Sequence, residues 1–166
     1  MRLITICIIF TALAATQPSL GAGGGGGAGG AGGDEDQAAS ADPDFNAGVA
    51  AVNAKAWPQV IEHMAAVLQR DATNADAWNY RGFALRQLGD MDSSFKSYEK
   101  ALSLNPKHRG AHEYMGEAYL LVGNLAQAEQ HLKALDKLCF LPCEQYSELK
   151  EKIEAYKQVH PVRAGL

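Results

Sequence analysis

The sequence predicts an all-α fold, a helical solenoid of three helix-turn-helix repeats closed by a C-terminal capping helix. Three observations predict it. Gly48, Gly82 and Gly116 recur every 34 residues, where the two helices of each repeat would approach most closely. Apolar residues between them are spaced by three and four, which marks one buried helical face. The turn pair Gly89-Asp90 returns one period later as Gly123-Asn124.

Residues 1–22 read as a secretory signal peptide. Arg2 supplies a positive start, residues 3–15 form an uncharged apolar run, and small residues follow. Cleavage points fit after Ala14 and after Ala22, and the second sets the boundary adopted here; an uncleaved anchor is the other reading of the same pattern. A run this short with no basic flank on its far side is a poor membrane span, so no membrane insertion is expected after cleavage. Residues 23–41 are a flexible linker. The stretch 21–33 is almost pure glycine and alanine and cannot offset its ordering entropy, and Asp34, Glu35 and Asp36 keep it solvated. With the signal retained, such a tether would reach about 20 Å.

The first repeat spans residues 42–74. Phe45, Val49 and Val52 form the inner edge of its first helix, Pro58 opens the second, and Val60, Ile61, Met64, Val67 and Leu68 line the buried face. It departs from the pattern at Lys55-Ala56 and at Ala72, as an end repeat with a single neighbour can. The second repeat, 75–108, carries Trp78, Gly82 and Leu85 on one helix, then Ser94, Tyr98 and Ala101 on the next, and stops at Pro106. In the third, 109–142, Met115, Tyr119 and Val122 are expected to be buried, followed by Leu125, Ala128, Leu132 and Leu135. The capping helix, 143–158, would bury Tyr146, Leu149, Ile153 and Tyr156 and turn Glu144, Glu148, Lys150, Glu151, Lys152 and Glu154 outward. Residues 159–166 are a tail.

From Ala75 to Pro106 the residue types and spacings resemble the tetratricopeptide repeat family, in the manner of a small exported bacterial-type member, and the resemblance extends over about residues 42–142. The resemblance implies a right-handed α-solenoid and a non-catalytic role in holding a protein or peptide partner. It also implies a concave groove lined by the first helix of each repeat. Carried across position by position, the groove would take Phe45, Val49 and Val52 from the first repeat, Asn79, Phe83 and Arg86 from the second, and Glu113, Glu117 and Leu120 from the third. That makes an apolar end, a polar middle and an acidic end, which an extended peptide or a protein tail could satisfy. Phe45 and Phe83 also read as ordinary packing between helices. The family's clamp for acidic chaperone tails is disfavoured, because Phe45 and Val49 stand where it needs polar or basic groups.

With Cys7 removed alongside the signal, Cys139 and Cys143 remain, and an exported chain with one close pair reads first as a disulfide. A redox-active pair or a soft-metal site is the alternative. His108 and His112 are four apart, but Gly110 weakens the helix around them and no third ligand is fixed by spacing, so no metal site is assigned. His63, His131 and His160 stand alone in sequence.

A net charge of -4 without a basic stripe argues against nucleic acid. The glycine stretch lacks the Lys-Ser or Lys-Thr of a phosphate loop, and no catalytic constellation emerges. The expectation is a non-enzymatic, cofactor-free adaptor or scaffold, monomeric, exported across the inner membrane to the periplasm. A thiol-dependent or metal-handling assembly factor using Cys139 and Cys143 is the alternative, and self-association through the first repeat is a third.

Overall fold

The computed structural model describes residues 42–160. The signal peptide, glycine linker and tail of the sequence reading lie outside these residues, apart from the tail's first two positions. Seven helices follow one another: α1 (Pro43–Asn53), α2 (Trp57–Arg70), α3 (Ala75–Gln87), α4 (Met91–Leu104), α5 (Arg109–Leu121), α6 (Leu125–Leu138) and α7 (Glu144–Val159). No strand occurs among the described residues, and none of their helices is long and apolar enough to cross a membrane.

Local chemistry sets the boundaries. Asn74 accepts the backbone N–H of Ala77 to start α3, Asp90 that of Ser93 to start α4, and Asn124 that of Gln127 to start α6. The first helices of the repeats end in a left-handed residue, Lys55 (φ 55°), Gly89 (φ 83°) and Gly123 (φ 77°). Glycine adopts that conformation without penalty. Lys55 adopts it against its own sterics, so the first repeat departs from the glycine pattern while keeping the geometry.

Packing follows the repeat. Helices pair as α1 with α2, α3 with α4 and α5 with α6, and α7 lies against both α5 and α6. The core runs lengthwise as three connected clusters, with Phe83 bridging the first and second and Tyr119 the second and third. Phe45 meets Tyr80 edge-on at 5.8 Å, and Phe83 lies between Trp57 at 5.6 Å and Tyr114 at 4.8 Å.

The glycines mark the close approaches differently in each repeat. A Cβ at Gly82 would come within 2.7 Å of the Tyr98 ring, which is fully buried and cannot swing aside. At Gly48 it would meet the terminal methyl of Met64, the end of a flexible chain. At Gly116 it would meet Leu149 of α7 at 2.6 Å, so the nearest side chain there comes from α7 and not from the second helix of the same repeat. Gly82→Ala is therefore expected to destabilise the module by about 1–3 kcal/mol. Gly48→Ala should stay within about 1 kcal/mol of the parent, because the gain in helix propensity offsets a small rearrangement. Urea unfolding of both variants checks this, and equal losses would mean that Tyr98 does not limit the approach.

Some expected burial is corrected. Val122 is 50% exposed, because it lies at the C-cap of α5, past the last helical turn. Tyr119, Tyr146 and Tyr156 are half-buried. Glu148 and Lys152, expected on the outer face of α7, turn toward α5, as described below. His63 does not stand alone: its Nδ1 lies 3.2 Å from Asp44, whose carboxylate also meets Arg70 at 2.8 Å.

Candidate functional site

The first helices of successive repeats, α3 and α5, and then α7 line up side by side, and their C-terminal halves enclose a pocket of about 450 Å³. Leu120 and Leu121 of α5 and Ala155, Tyr156 and Val159 of α7 form its apolar walls, with His160 at the edge. Arg86, Glu117 and Lys152 supply the charge. Arg86 Nη1 donates to one oxygen of Glu117 and Lys152 Nζ to the other, so one carboxylate from α5 joins cations from both neighbouring helices. The Arg86 side chain is 7% exposed and that of Glu117 8%, whereas Lys152 is 48% exposed. The guanidinium also lies over the rings of Phe83 (5.1 Å) and Tyr114 (5.6 Å).

One turn back along α5, Glu113 is 1% exposed, with ligand oxygens of Glu113, Glu117 and Glu148 all within 4.8 Å of one another. No fixed donor reaches either oxygen of Glu113. Burial, and then Glu148 and Glu117 alongside, push its carboxyl up to about 9, so it is protonated at neutral pH. The proton allows Glu113 and Glu148 to share a hydrogen bond where two carboxylates would repel. Burial likewise pushes the Tyr98 and Tyr114 hydroxyls well above their ordinary value, and both stay neutral.

The family model for the tetratricopeptide repeat matches residues 75–108, the span of α3, α4 and their turns. These residues match one tetratricopeptide repeat, and the seven helices stacked in pairs give the described residues the fold of a tetratricopeptide-repeat solenoid. Solved structures with the same fold include the TPR2B domain of yeast Sti1 in its pHsp70 complex, at 19% identity and TM-score 0.64, covering 70% of this chain and 94% of that one. The Yersinia enterocolitica type III secretion chaperone SycD, in complex with a peptide of the translocator YopD, has 16% identity and TM-score 0.61, covering 74% and 92%. The Arabidopsis OM64 TPR domain has 17% identity and TM-score 0.60, covering 68% and 93%. No curated protein is similar enough to match.

Of the nine groove positions that the tetratricopeptide pattern nominates, the pocket brings together Arg86, Glu117 and Leu120. The others lie elsewhere. Phe45 and Val52 are core residues between α1, α2 and α3, and Val49 packs against them. Asn79 is 4% exposed, which leaves no free edge for an extended backbone. Phe83 is half-buried among aromatic rings, the ordinary-packing alternative for it and for Phe45. Glu113 is enclosed and protonated, so the acidic end expected to favour a cation loses that character.

Sequence reasoning missed Leu121, Lys152, Ala155, Tyr156, Val159 and His160 as pocket residues. It treated α7 as a cap with a solvated charged face, yet α7 occupies the place of a fourth repeat's first helix. The signal was available: one more period of 34 from the start of α5 at Arg109 falls at Cys143, and α7 begins at the next residue.

The cysteines and histidines are also placed. Cys139 ends α6 and Cys143 precedes α7, with Cα atoms 5.8 Å apart and the sulfurs joined across the corner. Between them Phe140 is fully exposed and Leu141 largely so. His108 is buried and caps α5, its Nδ1 accepting the Ala111 N–H at 3.2 Å and its Nε2 lying 3.0 Å from Asp76. His112 therefore does not pair with His108. It meets His131 of α6 instead, which corrects the reading of His131 as solitary. Burial holds both imidazoles neutral, His112 below its ordinary value and His131 down to about 4.

Proposed function

We propose that this protein is a non-catalytic adaptor that holds a peptide or protein tail in the pocket between α3, α5 and α7. The supporting observation is that pocket: apolar walls from two helices around two cations and one carboxylate. The arrangement suits an apolar side chain followed by an anionic group. Leu120, Leu121, Tyr156 and Val159 would bury the side chain, and Lys152, half-exposed, would meet the anion. That the TPR2B domain of yeast Sti1 was solved in a pHsp70 complex and SycD with a peptide of YopD agrees with this use of the fold.

We further propose that the chain acts as a monomer in the cell envelope, exported by the apolar segment at its start. In that compartment Cys139 and Cys143 would be oxidised and structural, holding α7 at its angle to α6. The thiol-dependent alternative predicts a different outcome in the test that follows.

The test is capture from an envelope extract, using variants that spare the core. Leu121→Glu, Tyr156→Ala and Val159→Glu combined change only exposed or half-exposed side chains and leave the partners of Glu117 in place. The parent is expected to retain a partner, identified by mass spectrometry, and the triple variant to bind it at least tenfold more weakly by titration. A Cys139→Ser, Cys143→Ser variant should still bind. Equal binding by the parent and the triple variant would remove the pocket from consideration, and loss of binding with the cysteines would favour the thiol-dependent role.

A further inference from the structure

Outside the pocket, the third repeat holds a second group of side chains with ligand chemistry. His112 of α5 and His131 of α6 approach with their Nδ1 atoms 3.0 Å apart. Two nitrogens bound to one ion at bonds of about 2.0–2.1 Å and near a right angle sit about 3 Å apart. We propose that His112 and His131 bind a divalent transition-metal ion of the nickel, copper or zinc class, which ties α5 to α6.

Orientation supports the assignment. His112 Nε2 lies 3.1 Å from the carbonyl of Pro106, so its N–H donates there and the lone pair is left on Nδ1, facing His131. Metal-bound histidines are held in this way, with the second nitrogen anchored to a carbonyl. The His131 ring is stacked on Tyr119, with centroids 5.6 Å apart and planes 24° from parallel, which restrains its rotation. Without metal, His131 Nδ1–H donates to His112 Nδ1. On binding, that proton moves to Nε2 of His131, both Nδ1 lone pairs face the ion, and no net proton is released. Both rings are half-buried, which leaves room for water to complete the coordination sphere.

The acidic trio Glu113, Glu117 and Glu148 is a weaker candidate. Glu117 already binds Arg86 and Lys152, and an ion there would have to displace both. Imidazole nitrogen also suits nickel, copper and zinc, whereas carboxylate oxygen favours magnesium and calcium.

The experiment titrates NiCl2 into the untagged full chain by calorimetry and records the thermal midpoint with and without metal, beside His131→Gln and His63→Gln. Circular dichroism confirms that each variant is folded. One ion per chain is expected, with a raised midpoint and at least tenfold weaker binding in His131→Gln. His63→Gln, in the first repeat, should bind like the parent. Copper(II) loaded in place of nickel should give the electron paramagnetic resonance pattern of two coordinated nitrogens. Absence of heat and of any midpoint shift with nickel, copper and zinc would overturn the site, as would unchanged binding by His131→Gln or a copper spectrum showing sulfur ligation.

Discussion

Arg86→Met is expected to destabilise the module by about 3–5 kcal/mol, measured by denaturant unfolding at neutral pH. Glu117 is enclosed by α3 and α7, and its charge is acceptable there because Arg86 and Lys152 each hold one oxygen. Without the guanidinium, one oxygen of the buried Glu117 carboxylate loses its partner, and its desolvation is uncompensated. Adding Glu117→Met should recover most of the loss, since replacing both partners removes the stranded charge, and Lys152 is exposed enough to extend into water. A single-variant loss under about 1 kcal/mol would mean that the pair is solvated and behaves as a surface ion pair. The same reasoning excludes Arg86 and Glu117 as clean binding-site mutations, because their loss would be felt in folding before it was felt in binding.

Glu113→Gln should stabilise the protein, an unusual result for a fully buried position. The Glu113 carboxyl is pushed up to about 9, against an ordinary value of 4.5, by burial first and then by Glu148 and Glu117. Below pH 4.5 both folded and unfolded states carry the proton, and the group contributes no difference. Between 4.5 and about 9 the unfolded chain has released the proton while the folded chain retains it, so stability falls as pH rises through this window. At 1.36 kcal/mol per pKa unit the deficit at pH 7 is about 3 kcal/mol. Glutamine has the same shape and does not ionise, so the variant should gain about 2–3 kcal/mol at pH 7 and lose most of the pH slope above 5. Urea unfolding from pH 5 to 9 reads both quantities. A variant no more stable than the parent, with the slope intact, would show that Glu113 is ionised in the fold. The groups facing Glu113 are Glu117 on its own helix and Glu148 and Lys152 on α7. Glu148→Gln is the companion variant that separates their influence.

The two predictions show where sequence periodicity stops being informative. Gly82 opposite Tyr98, the left-handed Gly89 and Gly123, and the caps Asn74, Asp90 and Asn124 could all be located from residue type and spacing. Each acts within a few turns of chain, and the chemistry that selects it is local. Glu113, Glu117, Glu148 and Lys152 could not be placed in that way. From their own helices Glu148 and Lys152 read as a solvated face and Glu113 and Glu117 as groove lining, and only the packing of α7 on α5 shows that the four face one another. The groove suffered the same loss. Family positions named nine lining residues, but Phe45, Val52, Asn79 and Glu113 are covered by the neighbouring helix, and whether such a position is floor or core depends on how closely successive first helices approach.

The number of helices, their order, their turns and their paired stacking were therefore determined by the sequence by itself, because a repeat of 34 residues encodes local propensity and one buried face at every turn. The tertiary structure alone decided that α7 extends the row of first helices, that its cation completes an ion pair begun by Arg86, that Glu113 keeps a proton, and that His112 finds His131 and not His108. Those outcomes depend on distances between residues remote in the chain, and burial, which sets the free energy of each charge, is a property of the assembled helices and of no single one of them.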